Sequence, residues 1–280
     1  MVVGASVTRH IWRPHLFVDA PLAGAAVAVA MTWGLPATLP LAGLAAALHT
    51  WGVVSPRSSW YTPLTWQLPA GSADLALTFD DGPDPDTTPR ILDLLAAHDL
   101  HATFFCIGRN VERWPDLVRQ IRAAGHGLGL HTHSHARAFT WWTPRRLVAD
   151  LKANAAALAA ATGEAPPRLW RPPVGLKNPF LVEAARRLGL SMVTWSHRGF
   201  DTGSASAERV TSRLMAGIRP RAILVLHDGS EPEHPRDTTV CAEVLAALAP
   251  AIRRAGLSSV VLHAATARGV LAAGSADPSH

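Results

Sequence analysis

The chain has 280 residues, a formal net charge of +5 and a pI near 10.2. This length allows one large α/β domain with an appendage, or two small domains. The Lys and Arg residues are scattered and form no basic run, so the charge favours a solvated surface over a nucleic-acid-binding face. We expect no nucleic-acid partner, and no protein partner can be inferred from the sequence.

Apolar residues are concentrated near the N-terminus. Between residues 20 and 56 there is no Asp, Glu, Lys or Arg, and His49 is the only ionisable side chain. Arg9 and Arg13 precede this block and Arg57 follows it. The block is longer than the apolar core of a signal peptide. It also lacks the polar face that a helix packed in a soluble protein would have. It predicts insertion into a membrane, with lipid as a partner.

Two topologies fit this block. A single span leaves surplus length, whereas a hairpin of two short helices needs a turn at Gly34-Leu35-Pro36 or at Pro40. A single pass with Arg9 and Arg13 inside places the following domain outside the cytoplasm, and a hairpin returns it to the cytoplasm. Basic residues flank both ends, so both remain open. Either topology predicts anchoring in a bacterial-type cytoplasmic membrane.

The sequence predicts five regions along the whole chain. We expect a short basic N-terminus at 1–19, a membrane segment at 20–54, a linker at 55–72, a catalytic domain at 73–265 and a flexible tail at 266–280. Seven strands are predicted in the domain: 75–79, 103–107, 128–131, 169–171, 191–195, 222–227 and 259–262. Amphipathic helices are predicted between them: 88–98, 111–124, 144–161, 179–188, 207–217 and 238–255. This alternation predicts parallel strands in a closed or nearly closed β/α barrel.

Polar residues follow most of these strands. Barrels of this kind build active sites at the carboxyl ends of their strands, so these side chains are expected to converge. The set comprises Asp80, Asp81, His131, His133, His135, Arg171, Trp195, Asp201, His227 and Asp228.

The chemistry of this set is that of metal-assisted hydrolysis of an acyl bond. Two histidines and one carboxylate supply three ligands to a divalent metal and leave room for water and substrate. His131 and His135 are four residues apart and can face one metal. A second carboxylate can take the proton of water, a histidine can protonate the leaving group, and an arginine can hold the base. Cys106 lies in the apolar run "ATFFCIG" and is predicted to be a buried thiol.

Five motifs carry a resemblance to a known family. They read "TFDDGP" at 78–83, "HTHSH" at 131–135, "RPPVG" at 171–175, "WSHRGFD" at 195–201 and "LVLHD" at 224–228. The chain resembles the polysaccharide deacetylases (the NodB-homology domain, carbohydrate esterase family four) over residues 74–264. The resemblance implies a distorted (β/α)7 barrel. It also implies removal of N-acetyl groups from N-acetylglucosamine polymers with one divalent metal, foremost Zn²⁺, with Co²⁺, Ni²⁺ or Mn²⁺ as alternatives.

The resemblance also implies a role for each matching residue. Asp80 corresponds to the general base and His227 to the general acid. Arg171 corresponds to the residue that holds the base, and Asp201 to the carboxylate that orients His227. The implied metal ligands are Asp81, His131 and His135. The implied substrate-binding residues are Pro173, Val174 and Trp195, with a backbone N–H of the "RPPVG" loop stabilising the oxyanion.

Several positions depart from the family pattern. Val174 stands where an aromatic residue is frequent, and the fourth motif has Arg198 and Thr202 in place of an Asp and a Trp. His133 replaces a frequent Tyr and Leu130 a frequent Asn. These departures leave the metal ligands intact and alter their surroundings, so the substrate is the least determined feature.

Three functions are therefore compared. The first is a membrane-anchored deacetylase of an N-acetylated polysaccharide, oligosaccharide or lipid-linked glycan. The second keeps the barrel and metal but hydrolyses an O-acetyl ester or a small cyclic amide. The third is a catalytically silent glycan-binding domain, against which the presence of Asp80, Arg171 and His227 argues, because binding alone needs none of them.

Overall fold

The apolar N-terminal block folds into two helices joined by a tight turn. The computed structural model describes residues 14–264, so Arg9, Arg13 and the tail predicted at 266–280 lie outside the described residues. Helix α1 spans Pro14–Trp33 and helix α2 spans Leu39–Val54, with a 3-10 turn at Leu35–Thr38 between them. Gly34 enters this turn with a φ of 83°, which glycine adopts without steric cost.

Polar contacts fix the base of this helix pair. His49 Nε2 in α2 lies 2.9 Å from Asp19 Oδ1 in α1, and His49 Nδ1 lies 2.6 Å from the Tyr61 hydroxyl. Trp60 packs so closely on α2 that a Cβ atom at Gly52 would lie 2.7 Å from its Cδ1. The first residues of α1 thus lie beside the last residues of α2, and the two helices form an antiparallel hairpin.

The apolar block does not belong to the protein core. Among the residues that the structure describes, one helical segment, Leu35–Val54, is long and apolar enough to cross a membrane by length and composition. Only 6% of it is buried within the protein, and Val18–Trp33 is a shorter apolar helix. A core helix would be mostly buried. Membrane insertion itself stays a prediction.

Seven parallel strands form one curled sheet, as the alternating pattern predicts. Their order across the sheet is β5-β4-β3-β2-β1-β7-β6. The strands are β1 Ala76–Asp80, β2 Ala102–Cys106, β3 Gly127–Leu130, β4 Leu169–Trp170, β5 Ser191–Met192, β6 His197–Arg198 and β7 Ile223–His227. The helices that follow are α3 Thr88–Ala97, α4 Gly108–Arg113, α5 Pro115–Ala123, α6 Pro144–Thr162, α7 Pro179–Leu188, α8 Ala207–Met215 and α9 Thr239–Arg254.

The sheet is a barrel left open between its edge strands β5 and β6. The segment predicted as a linker runs along this opening: Thr65 pairs with Val193 beyond β5, and Gln67 pairs with Ala222 at the start of β7. Leu68 is only 1% exposed and packs inside the barrel. The linker therefore pairs with backbone groups at the β5 edge, which an open sheet would leave without partners.

Two predicted elements were wrong in detail, and one observed strand was not predicted. The predicted strand 259–262 makes only an isolated bridge, Leu75 with Ser259, and its Leu262 packs in the barrel interior. The strand that completes the set of seven is instead β6, His197–Arg198, which pairs with β7. The helix predicted over 111–124 is two helices, because Pro115 lacks the N–H that a continuous helix would need and begins α5 instead.

The core has two parts, one on each face of the sheet. The larger part lies between the sheet and the surrounding helices and includes Phe79, Phe104 and Cys106. The smaller part fills the barrel and includes Phe105, Trp195 and Val225. Alternation along β2 explains this division, because neighbouring side chains point to opposite faces. Cys106 is a free, buried thiol, as predicted.

Candidate active site

The two adjacent aspartates at the end of β1 enter the same region by different routes. Asp80 is the last strand residue, opposite His227 of β7 in the register. Asp81 has left the strand and adopts a φ of 72°, which is uncommon for a residue other than glycine. Both are buried, at 2% and 3% exposure. The change of backbone conformation at Asp81 ends the strict alternation that would have placed the two carboxylates on opposite faces.

Asp81, His131 and His135 form a cluster that fits a metal ion. Asp81 Oδ1 lies 3.2 Å from His131 Nε2 and 3.3 Å from His135 Nε2, and all three donor atoms lie within 4.8 Å of one another. Asp81 Oδ1 is buried without a hydrogen-bond partner, which a cation would satisfy. Two imidazole nitrogens and one carboxylate oxygen are a common ligand set for zinc.

The outer nitrogens of both histidines have partners that orient them. His131 Nδ1 donates to the Arg171 carbonyl oxygen at 2.8 Å, and His135 Nδ1 lies 3.2 Å from Glu231 Oε1. The hydrogen bond of His131 places its proton on Nδ1 and leaves Nε2 available as a ligand, and the Glu231 carboxylate beside His135 Nδ1 favours the same arrangement. Burial disfavours the charged form of His135, but the Asp81 and Glu231 carboxylates outweigh it and raise its pKa.

Arg236 binds the other oxygen of the candidate metal ligand. Its Nη2 lies 2.6 Å from Asp81 Oδ2 and 2.8 Å from the carbonyl oxygen of Gly229. Burial disfavours the charged form of Asp81, but its close contact with His131 and the charges of the nearby histidines hold its pKa well below the usual value. Sequence reasoning missed Arg236 and Glu231, because both lie in the irregular loop after β7, where no periodic pattern indicates direction.

The second aspartate is paired with a fully buried arginine. Arg171 Nη1 donates to Asp80 Oδ1 at 2.7 Å and to Thr78 Oγ1 at 2.8 Å, while Nη2 donates to the Thr194 carbonyl at 3.0 Å. The guanidinium also lies 4.2 Å above the centroid of the Phe105 ring. Burial lowers the pKa of Arg171, and the neighbouring Asp80 carboxylate opposes this effect. Arg171 therefore holds the Asp80 carboxylate in place beside the cluster of Asp81, His131 and His135.

His227 and Asp201 form a second polar pair facing the aspartates. His227 Nδ1 donates to Asp201 Oδ1 at 2.9 Å, and the backbone N–H of His227 donates to Asp201 Oδ2 at 2.8 Å. Burial lowers the pKa of His227, but the Asp201 carboxylate and then Asp81 and Asp80 outweigh burial, so the pKa is raised. With Nδ1 bound to Asp201, Nε2 is the nitrogen that can donate a proton to a ligand.

The three residues predicted to bind substrate differ in exposure. Val174 is 59% exposed and has a φ of 58°, whereas Pro173 is buried and Trp195 is 6% exposed. Trp195 packs under the loop, since a Cβ atom at Gly175 would lie 2.5 Å from its Cη2. Val174 is thus the member of the three that presents most surface to a ligand, and contact with substrate stays a prediction for all of them.

Asp228, which follows His227, supports the loop that carries Asp81. Burial raises the pKa of Asp228 to about 7, and its Oδ2 accepts a hydrogen bond of 2.6 Å from Thr88 Oγ1. Asp228 packs against the backbone of Gly82 in the loop that carries Asp81. Arg198 belongs to the fourth motif, which departs from the family pattern. Its guanidinium lies 5.5 Å from the Trp195 ring centroid, and its Nη2 is 3.5 Å from Thr202 Oγ1.

The carboxyl end of the curled parallel sheet carries an Asp-His-His cluster, a carboxylate held by an arginine and a histidine held by a carboxylate. This arrangement fits the chemistry of a metal-assisted hydrolase. Comparison with known proteins agrees. Residues 68–193 match the family model described as polysaccharide deacetylase. The matched residues include the three candidate ligands, Asp80 and Arg171, while Asp201 and His227 lie beyond them.

Relatives extend the match. A chitooligosaccharide deacetylase of Bradyrhizobium sp. (strain ANU 289) is 35% identical over 193 residues, which are 67% of this chain and 88% of the relative. A peptidoglycan-N-acetylglucosamine deacetylase of Bacillus cereus is 34% identical over 201 residues, covering 71% and 91%. The crystal structure of the Bc1960 peptidoglycan N-acetylglucosamine deacetylase superposes with a TM-score of 0.64 at 30% identity, covering 71% of this chain and 91% of that one.

The chain belongs to the polysaccharide deacetylase family. A family 4 carbohydrate esterase from Streptomyces lividans has the same fold, with a TM-score of 0.62 at 26% identity over 70% of this chain and 95% of that one. The family membership confirms the resemblance read from the five motifs, and the structure confirms the distorted (β/α)7 barrel. The protein is therefore a hydrolase of carbon–nitrogen bonds other than peptide bonds.

Proposed function

We propose that this protein is a metal-dependent deacetylase that removes N-acetyl groups from a glycan containing N-acetylglucosamine. The observation that carries the proposal is the placement of two different carboxylates. Asp81 faces two histidines, whereas Asp80 faces a buried arginine 2.7 Å away. One carboxylate is therefore available to hold a metal and the other to move a proton. The substrates printed in the relatives' names support the choice of an N-acetylated sugar.

The metal would be held by Asp81, His131 and His135. A nitrogen-rich set with one carboxylate suits Zn²⁺, and Co²⁺, Ni²⁺ or Mn²⁺ can occupy such sites. When bound, the ion would polarise the acetyl carbonyl and lower the pKa of a bound water molecule. The chain supplies the remaining chemistry.

Proton transfers are assigned to two residues. Asp80 takes the proton of the attacking water, and Arg171 keeps the Asp80 carboxylate in position through its charge-assisted hydrogen bond. His227 then donates a proton from Nε2 to the departing amine. The raised pKa of His227 supports this role, because a general acid must retain its proton until the C–N bond breaks.

A backbone N–H supports the developing oxyanion. In the loop after β4, Pro172 and Pro173 have no N–H group, and Gly175 donates its own to the Pro172 carbonyl at 3.0 Å. We assign the role to the N–H of Val174, whose positive φ turns the backbone at the most exposed point of this loop. A valine side chain here offers no aromatic surface for stacking on sugar.

The test uses the full chain in detergent or nanodiscs. Acetate release is measured from N-acetylglucosamine oligomers, from an O-acetylated sugar and from a small cyclic amide, before and after chelation and after Zn²⁺ is restored. The proposal expects chelator-sensitive release from the N-acetylated sugar. Preference for the ester or cyclic amide would replace it with that activity, and binding of oligomers without any turnover would favour a silent binding domain.

We also propose that the α1–α2 hairpin anchors the protein in the cytoplasmic membrane. Its apolar surface is exposed, and His49 joins its two arms at the base. A hairpin that enters and leaves the membrane at the same face would place the residues before α1 and the catalytic domain on the same side. Reporter fusions after Arg57 and at the C-terminus show on which side of the membrane the catalytic domain lies. A periplasmic or extracellular signal from these fusions, together with a cytoplasmic N-terminus, would establish a single pass instead.

A further inference from the structure

The end of the apolar hairpin is bonded to the active-site loop. Lys177, which follows the "RPPVG" loop, donates its backbone N–H to the carbonyl oxygen of Val53 in the last turn of α2 at 3.1 Å. Its ammonium group, on a side chain with 0% exposure, lies 2.5 Å from the Ser55 carbonyl. Thr194 Oγ1 donates to the Pro56 carbonyl at 2.5 Å. The proposed membrane anchor thus ends beside Lys177, which is a few residues along the chain from Val174 and Arg171.

Large apolar side chains are exposed on the same rim. Trp141 is 86% exposed, Val174 is 59% exposed and Phe180 is 52% exposed; we call these three residues the rim patch. Trp141 follows β3 and the other two follow β4, so all three lie at the carboxyl ends of the strands. Asn178 Nδ2 donates to the Thr140 carbonyl at 2.7 Å and joins the two loops. Together with the bond from Lys177 to Val53, this contact places the patch beside the point where α2 ends.

Basic side chains accompany the rim patch. Arg137, Arg145 and Arg146 are all exposed and lie within five residues of Trp141. The guanidinium of Arg146 lies 3.9 Å from the centroid of the Trp142 ring. Exposed Trp and Phe side chains flanked by Arg are the combination that binds the interface of an anionic bilayer, where rings enter the headgroup layer and cations pair with phosphate.

We propose that the rim patch lies in the membrane interface, so that the active site opens toward the bilayer and acts on N-acetylated sugars attached to lipid. This inference rests on the proposed deacetylase function and on the proposed membrane anchor. A bilayer is preferred over a free polysaccharide as the occupant because the patch is continuous with the end of α2. A glycan bound by the same aromatic side chains is the competing outcome.

The first test measures depth in the membrane. The full chain is reconstituted into vesicles containing anionic phospholipid, with spin labels at W141C, F180C or the control A255C, which lies at the opposite end of the barrel after α9. Cys106 and Cys241 are buried, which directs labelling to the introduced cysteine. We expect labels at 141 and 180 to collide more with lipid-soluble oxygen than with a water-soluble nickel reagent, and the reverse at 255.

Equal water accessibility at all three positions would overturn the inference. Flotation of the same vesicles separates this outcome from failure of the anchor, because an unanchored chain would not float. Acetate release from soluble N-acetylglucosamine oligomers separates it from failure of the deacetylase function.

The second test compares two substrates with the double variant Trp141→Ser, Phe180→Ser. For a dialkyl lipid bearing a chitobiose headgroup in vesicles, we expect kcat/KM to fall on the order of tenfold. The reason is that the variant loses two aromatic rings that the proposal places in the lipid layer. For soluble chitobiose we expect no change. An equal fall with both substrates would show that the rings contact sugar, and no fall with either would show that they contact neither; both results contradict the inference.

Discussion

Asp80 and Arg171 form an ion pair that is closed to solvent. Arg171 Nη1 lies 2.7 Å from Asp80 Oδ1, and the two side chains are 0% and 3% exposed. The same guanidinium reaches Thr78 and the Thr194 carbonyl, which ties β1 to the strands on the far side of the barrel. The pair thus joins the proposed base to the fold, and removing one member leaves the other charge buried without a partner.

Replacing Arg171 should therefore affect stability as well as activity. For Arg171→Met we expect a loss of about 3–5 kcal/mol in the free energy of unfolding, since breaking a buried pair costs far more than the pair contributes. Denaturant unfolding of the chain in detergent measures this loss. The control Arg187→Met removes an exposed pair with Glu183 and should change little. Parent-like stability of Arg171→Met would contradict the account.

The pH dependence of turnover should report on the Asp201–His227 pair. The Asp201 carboxylate raises the pKa of His227 against the effect of burial, so the acid stays protonated to higher pH. Asp201→Asn removes that charge and should lower the pKa, which moves the alkaline limb of the kcat/KM profile to lower pH. Asp237→Asn, at an exposed site, should leave the profile unchanged. An unmoved limb in Asp201→Asn would remove His227 from the role of general acid.

Arg236 should control how well the metal is held. It binds Asp81 Oδ2 and leaves Oδ1 facing the two histidines. We expect Arg236→Gln to weaken Zn²⁺ binding by about 10–100-fold, the usual effect of losing a residue that positions a ligand. Competition with a chromophoric chelator measures the affinity, and Arg137→Gln, an exposed neighbour of Glu231, is the matched control. Unchanged affinity in Arg236→Gln would show that Asp81 needs no such support.

Gly82 should tolerate no side chain. A Cβ atom there would lie 2.3 Å from Asp228 Oδ2, and Asp228 is held by its hydrogen bond to Thr88. We expect Gly82→Ala to lower the free energy of unfolding by about 1–3 kcal/mol through overpacking. Gly203→Ala is the control, because its nearest neighbour would be 3.9 Å away. Thermal unfolding of both variants gives the comparison, and equal stability would show that the loop of Asp81 can move aside.

Strand-end residues could be predicted because parallel strands fix where their carboxyl ends meet. Asp80, His131, Arg171 and His227 follow or end apolar runs, and the structure brings them together. The sequence could not place Arg236 or Glu231. Both lie in a loop without periodicity, and their positions depend on tertiary contacts with Asp81 and His135.

The edges of the barrel were the least predictable part of the fold. Strand β5 was predicted at 191–195 but has only two residues, and strand β6 was not predicted, because its two residues are too few to show an alternating pattern. The linker sequence shows no strand pattern, because its residues 65–68 make only isolated bridges along the opening of the barrel and form no strand of their own. His49 likewise stood alone in an apolar block, and only the folded hairpin shows its partners Asp19 and Tyr61.

The central claim is the division of work between Asp80 and Asp81. Two variants test it in one assay that measures bound Zn²⁺ and acetate release from N-acetylglucosamine oligomers. We expect Asp80→Asn to keep the metal and lose turnover, because Asp80 contacts Arg171 and not the histidine cluster. His131→Ala should lose both. Loss of the metal from Asp80→Asn, or turnover that survives in it, would contradict the assignment of the two aspartates.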